Sequence, residues 1–139
     1  MPDIEVLHSM FVHFPIALFL AALLFDLLGT FLRMEGFNQA AWWNQALGAV
    51  FSIFTIITGF ISDNLVGHME EPFPLFSTHG SLQILSITIL FGLVIYRLRN
   101  KGHLSDNKRS RWIFLGLEII AVVFLFYGAH LGAKLANRI

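Results

Sequence analysis

Cysteine is absent from the 139 residues, which excludes disulfides, thiolate zinc sites, iron–sulfur clusters and covalently attached c-type haem. Charge is scarce: 13% of residues are Asp, Glu, Lys or Arg, and nine basic residues cancel nine acidic ones. No broad basic field exists to hold nucleic acid by counterion release, so nucleic acid is not an expected partner. Nor does the chain carry a glycine-rich phosphate loop, a Ser–His–Asp arrangement or a His-Glu-x-x-His metalloprotease motif, which leaves phosphoryl transfer and hydrolysis without support. Without thiolate, any cofactor must be held by His, Met or oxygen.

What fills the chain instead is apolar side chain, 56% of all residues with 15 Phe, too much for a soluble domain of this size. Four apolar stretches recur, at 14–32 with one charge (Asp26), at 42–61 and 82–96 with none, and at 112–131 with Glu118. A membrane-spanning helix needs roughly 17–25 such residues, and the expected helices run over about 9–33, 40–62, 78–98 and 111–136. The first is not a secretory signal, since Asp3 and Glu5 stand where basic residues belong and no small-residue cleavage pattern follows. Short connections at 34–39 and 100–110 make sequential helices antiparallel. The expectation is therefore an all-α integral membrane protein, one domain over 1–139, folded as an up-down-up-down four-helix bundle in the lipid bilayer. The longest connection, 63–77 with Pro72 and Pro74, is a cap or a lid over one end. Helices 1–2 and 3–4 are candidates for duplicated hairpins.

Arg33, Arg97, Arg99, Lys101, Lys108, Arg109 and Arg111 gather at one end of this bundle, against Lys134 and Arg138 at the other. The positive-inside rule then puts the first end in the cytoplasm of an inner-membrane protein. Both termini and the 63–77 connection face the periplasm or cell exterior. Trp42, Trp43 and Trp112 at the basic end serve as interfacial anchors.

His8, His13, His68, His79 and His130 belong to the outward end, and His103 to the cytoplasmic one. His13 is 20 residues from Arg33, His79 18 from Arg97 and His130 19 from Arg111, which brings three helices' imidazoles to one level about 27–30 Å above the basic rung. Intramembrane ionisable groups are functional candidates, although helix-end histidines also meet water or carbonyls at little cost. Helices 1 and 3 are diagonal in such a bundle, a gap suited to a haem with an axial ligand on each face. The leading expectation is b-type haem and single-electron transfer to a redox partner protein, with His13 and His79 as axial ligands and His130 able to replace either. His8, five residues from His13 and so about 140° round the helix, would serve a second haem at most. The macrocycle needs small residues beside it, for which Gly59, Gly128, Ala129, Gly132 and Ala133 are candidates; close helix packing explains the same glycines. The alternative is a copper or zinc ion held by His13, His79 and His130, with His8, His68 or Asp63 nearby. Met10 and Met69 suit copper(I) but equally suit gap-filling. The third reading is a cofactor-free scaffold, and the Phe-rich surface also admits a homodimer.

A second feature lies deeper. Asp26 is seven residues from Arg33 and Glu118 seven from Arg111, so both carboxylates stand about 10 Å inside the basic rung, with Gln45 near the same level. They either carry protons or snorkel toward the rung.

The run from Leu7 through His8, His13, Phe14, Pro15, Ile16 and Ala17 to Leu18, followed by Asp26, resembles the opening of the domain of unknown function 2231 family of small prokaryotic membrane proteins. Thr58-Gly59, Asp63, His79 and the segment from Gly128 to Leu135 continue the likeness along nearly the whole chain. Ser9 stands where that family usually has Pro. The resemblance implies a membrane fold in the inner membrane, with His8, His13, Asp26, His79 and His130 as signature positions, and assigns no reaction.

Overall fold

The computed structural model describes the backbone of residues 4–66 and 79–135. Four helices account for nearly all of it: α1 (Ile4–Leu32), α2 (Glu35–Val66), α3 (His79–Arg99) and α4 (Lys108–Leu135). All four are long and apolar enough to cross a membrane, as expected from the four apolar stretches.

The helices are longer, and the turns tighter, than hydropathy indicates. The first turn contracts to Arg33 and Met34 because Arg33 takes a left-handed φ of 56° and the Met34 N–H closes on the Gly29 carbonyl at 3.2 Å. This left-handed cap reverses the chain without a loop, so α2 starts at Glu35 rather than near 40. At the end of α3, Lys101 and Gly102 are both left-handed (φ 55° and 84°). There the Gly102 N–H bonds the Arg97 carbonyl at 2.8 Å and the Lys101 N–H bonds the Leu98 carbonyl at 3.1 Å, the paired bonds of a Schellman cap. Asn107 then caps α4, its Oδ1 accepting from the Ser110 N–H at 3.1 Å.

Gly102 is also pressed against α2, where an added Cβ would lie 3.0 Å from Cδ1 of Trp42. Gly102→Ala is expected to cost about 1–2 kcal/mol of stability from the left-handed backbone alone, checked by thermal unfolding in detergent.

α1 packs most extensively on α2 and α3 on α4, while α1–α4 and α2–α3 contacts close the ring. The bundle is thus four-cornered, with α1 diagonal to α3 and α2 diagonal to α4. Phe19, Leu90, Phe114, Val122 and Leu125 are among the buried core. Outside the core the usual distribution is inverted: Leu24, Val50, Ile53, Ile95, Ile120 and Val123 are exposed, whereas Asp26, Gln45, Arg97 and Glu118 are fully buried. An apolar exterior around a polar interior is the arrangement lipid demands.

The two hairpins repeat one pattern. Buried Pro15, Phe19, Ala22 and Asp26 on α1 are matched 71 residues later by buried Ser86, Leu90, Leu93 and Arg97 on α3. Ala41, Gln45, Ala49 and Ser52 on α2 are matched 73 residues later by Phe114, Glu118, Val122 and Leu125 on α4, all buried. The constant offsets of 71 and 73 residues give the two hairpins the same buried pattern, that of an approximate two-fold axis along the bundle.

Candidate functional site

One polar residue from each helix meets in a single layer. Asp26 of α1, Gln45 of α2, Arg97 of α3 and Glu118 of α4 are each 0% exposed. The Arg97 guanidinium organises them. Its Nη1 donates to Asp26 Oδ2 at 2.5 Å, its Nη2 to the Asn38 carbonyl at 2.5 Å and its Nε to the Gly102 carbonyl at 2.8 Å. The same Nη1 lies 3.4 Å from Gln45 Oε1. Gln45 passes the network on, its Nε2 donating to Glu118 Oε1 at 2.5 Å. The ring of Phe114 lies 5.9 Å from the Arg97 carbon Cζ, within cation–π range.

The Asp26–Arg97 and Gln45–Glu118 partners are two-fold equivalents, 71 and 73 residues apart. Inward positions on diagonal helices meet at the axis, so equivalent residues find each other there. The equal height expected for Asp26, Gln45 and Glu118 agrees with this layer. Arg97 departs from the sequence reading. Counted there with the basic rung, it turns inward and is fully buried, where its guanidinium balances the Asp26 carboxylate and donates to one carbonyl of α2 and one of the α3–α4 turn. A signal for it was present: Asp26 follows His8 by 18 residues, and Arg97 follows His79 by 18.

His8 and His79 close the opposite end of the same inward stripes, about 27 Å from the polar layer at 1.5 Å per residue. Both are half-buried. His8 Nδ1 lies 3.1 Å from Thr58 Oγ1, a hydroxyl that also lies 2.9 Å from the Phe54 carbonyl. His79 Nδ1 lies 2.6 Å from the Gly128 carbonyl, which only accepts. A carbonyl acceptor requires the proton of that bond to sit on Nδ1 of His79.

The glycines serve these imidazoles. A Cβ at Gly132 would lie 2.7 Å from Cε1 and Nδ1 of His79, and one at Gly59 would lie 3.1 Å from Cε1 of His8. At Gly128 it would meet Gln83 Nε2 at 3.1 Å. Gly59 and Gly132 are two-fold equivalents, as His8 and His79 are.

His13 and His130 are exposed on the outer faces of α1 and α4, so the four outward histidines of the helices are not brought to one centre. Among the described residues no three His, Asp or Glu side chains form a group able to hold a metal ion. His68 and Met69 lie outside the described residues, as does the 63–77 connection apart from the α2 backbone to Val66.

Over residues 5–139 the chain matches the family described as "Predicted membrane protein (DUF2231)". The chain belongs to this family. Membership and the four candidate spans together make it a membrane protein in contact with the lipid bilayer. No curated protein and no solved structure matches it.

Proposed function

We propose that the protein binds b-type haem between α1 and α3 at the histidine end and passes single electrons there to a redox partner protein. The observation that carries this reading is the pair of two-fold equivalent imidazoles, His8 and His79, each with Nδ1 hydrogen-bonded to the neighbouring helix. Such a bond orients an imidazole and raises its basicity as a ligand through Nε2. The diagonal placement suits a group needing one ligand on each face, since neighbouring axes 8–10 Å apart leave diagonal ones about 11–14 Å apart. His8 and His79 are thus the residues that would hold it, since His13 and His130 are exposed on the outer faces of their helices. When bound, the haem would supply a one-electron redox couple, tuned by its ligands and burial. The excess of Lys and Arg at the other end supports an inner-membrane orientation with the histidine end toward the periplasm or exterior.

The test is the visible spectrum of detergent-purified protein, oxidised and dithionite-reduced, with pyridine haemochrome quantification. Sharp Soret and α bands are expected in the wild type, in His13→Ala and in His130→Ala. His8→Ala and His79→Ala each lose the six-coordinate spectrum. A colourless protein that takes up no added haem ends the haem reading. Stoichiometric zinc or copper without porphyrin would transfer the same histidines to an ion site.

A further inference from the structure

The four-residue layer holds two carboxylates but one cation. Arg97 is the single fully buried positive charge among the described residues, and its hydrogen bonds go to Asp26, Gln45 and the Asn38 and Gly102 carbonyls, none to Glu118. Glu118 receives one hydrogen bond, from Gln45 to Oε1. Its Oε2 is buried with no hydrogen-bond partner among the described residues, and the same is true of Asp26 Oδ1. The charges acting on Glu118 from the helices around it are Asp26 of α1 and Arg97 of α3, while α2 presents neutral Gln45. Arg111 and Glu35 act on Asp26 from the basic end.

An ionised carboxylate without a cation is too costly in a dry interior, where such groups neutralise instead. Asp26 has its cation at contact distance, and Glu118 does not. The network also selects the oxygen that takes the proton. Arg97 is donor-only, so it draws the Gln45 oxygen toward itself and turns the Gln45 amide N–H₂ toward Glu118 Oε1. That oxygen is committed as an acceptor, which leaves Oε2.

We propose that the layer is a proton-binding site in which Glu118 carries an exchangeable proton on Oε2 at neutral pH, beside the Asp26–Arg97 ion pair. The site stands about 27 Å from the histidines by residue count and is independent of the haem reading. It places one reversible protonation inside the bundle, about 10 Å from the basic end.

Infrared difference spectroscopy of the wild-type protein in detergent tests this directly. The expected result is a protonated-carboxyl C=O band at neutral pH that shifts to lower frequency in D₂O and disappears in Glu118→Gln. That variant keeps the shape of the side chain and an oxygen for Gln45 to bond. A second measurement needs no variant: an apolar carbodiimide, which reacts with protonated carboxyls, is expected to label Glu118 and spare Asp26 by mass spectrometry. Absence of the band in the wild type, its survival in Glu118→Gln, or labelling at Asp26 alone would overturn the proposal.

Discussion

Arg97→Met is expected to lower the stability of the bundle by about 3–5 kcal/mol, the usual consequence of stranding one member of a buried ion pair. The loss has three parts. Asp26 loses its cation and is left a buried carboxyl that must take up a proton, the Asn38 and Gly102 carbonyls lose their donor, and Gln45 loses the group that orients it. Arg97→Lys is expected to recover little, because an ammonium is a compact charge that cannot reproduce the planar fork bonded to α1, α2 and the α3–α4 turn. Adding Asp26→Leu to Arg97→Met removes the stranded carboxylate, and the double variant is expected to regain most of the loss, since apolar replacements of whole buried pairs are often neutral. Denaturant-induced unfolding in mixed micelles reads all four proteins. A double variant no more stable than Arg97→Met alone would show that the carbonyl bonds, rather than the charge pair, dominate.

Gly132→Ala is expected to destabilise by about 1–3 kcal/mol, the range for overfilling a packed site, even though alanine favours the helix. The added methyl would lie 2.7 Å from two atoms of the His79 ring, and the ring is not free to move aside because its Nδ1 bonds the Gly128 carbonyl. Gly92→Ala on α3 is the control. Nothing lies within 4 Å of its added Cβ, so the helix gains about 0.5–1 kcal/mol from reduced backbone entropy in the unfolded chain. Two Gly→Ala changes of opposite sign would separate close packing from helix propensity. If Gly132→Ala also stabilises, the imidazole is not docked on that glycine.

The approximate two-fold axis links these results. It makes the His8–Gly59 and His79–Gly132 contacts versions of one another, and it brings Asp26 to Arg97 and Gln45 to Glu118. The halves differ in the chemistry of the layer rather than in its geometry. A symmetric pair of carboxylates on the axis would repel, whereas an acid facing a base and an amide facing an acid each find a partner.

Much of this was legible along the chain. Helix number, the antiparallel order and the common height of Asp26, Gln45 and Glu118 follow from counting residues at 1.5 Å each between chargeable groups that mark the ends of apolar runs. Rotation about each helix axis was not legible. In a soluble helix one apolar stripe marks the inward face, but these helices are apolar on nearly every side, because lipid surrounds them. Tertiary packing therefore decided that Arg97 turns in while its neighbours Leu98 and Arg99 stay out. It also turned His8 and His79 toward the axis while His13 and His130 face away. The sequence by itself determined the levels, since rise per residue is a local property of the backbone. The tertiary structure alone decided which side chains meet at each level, since that depends on what the other three helices present.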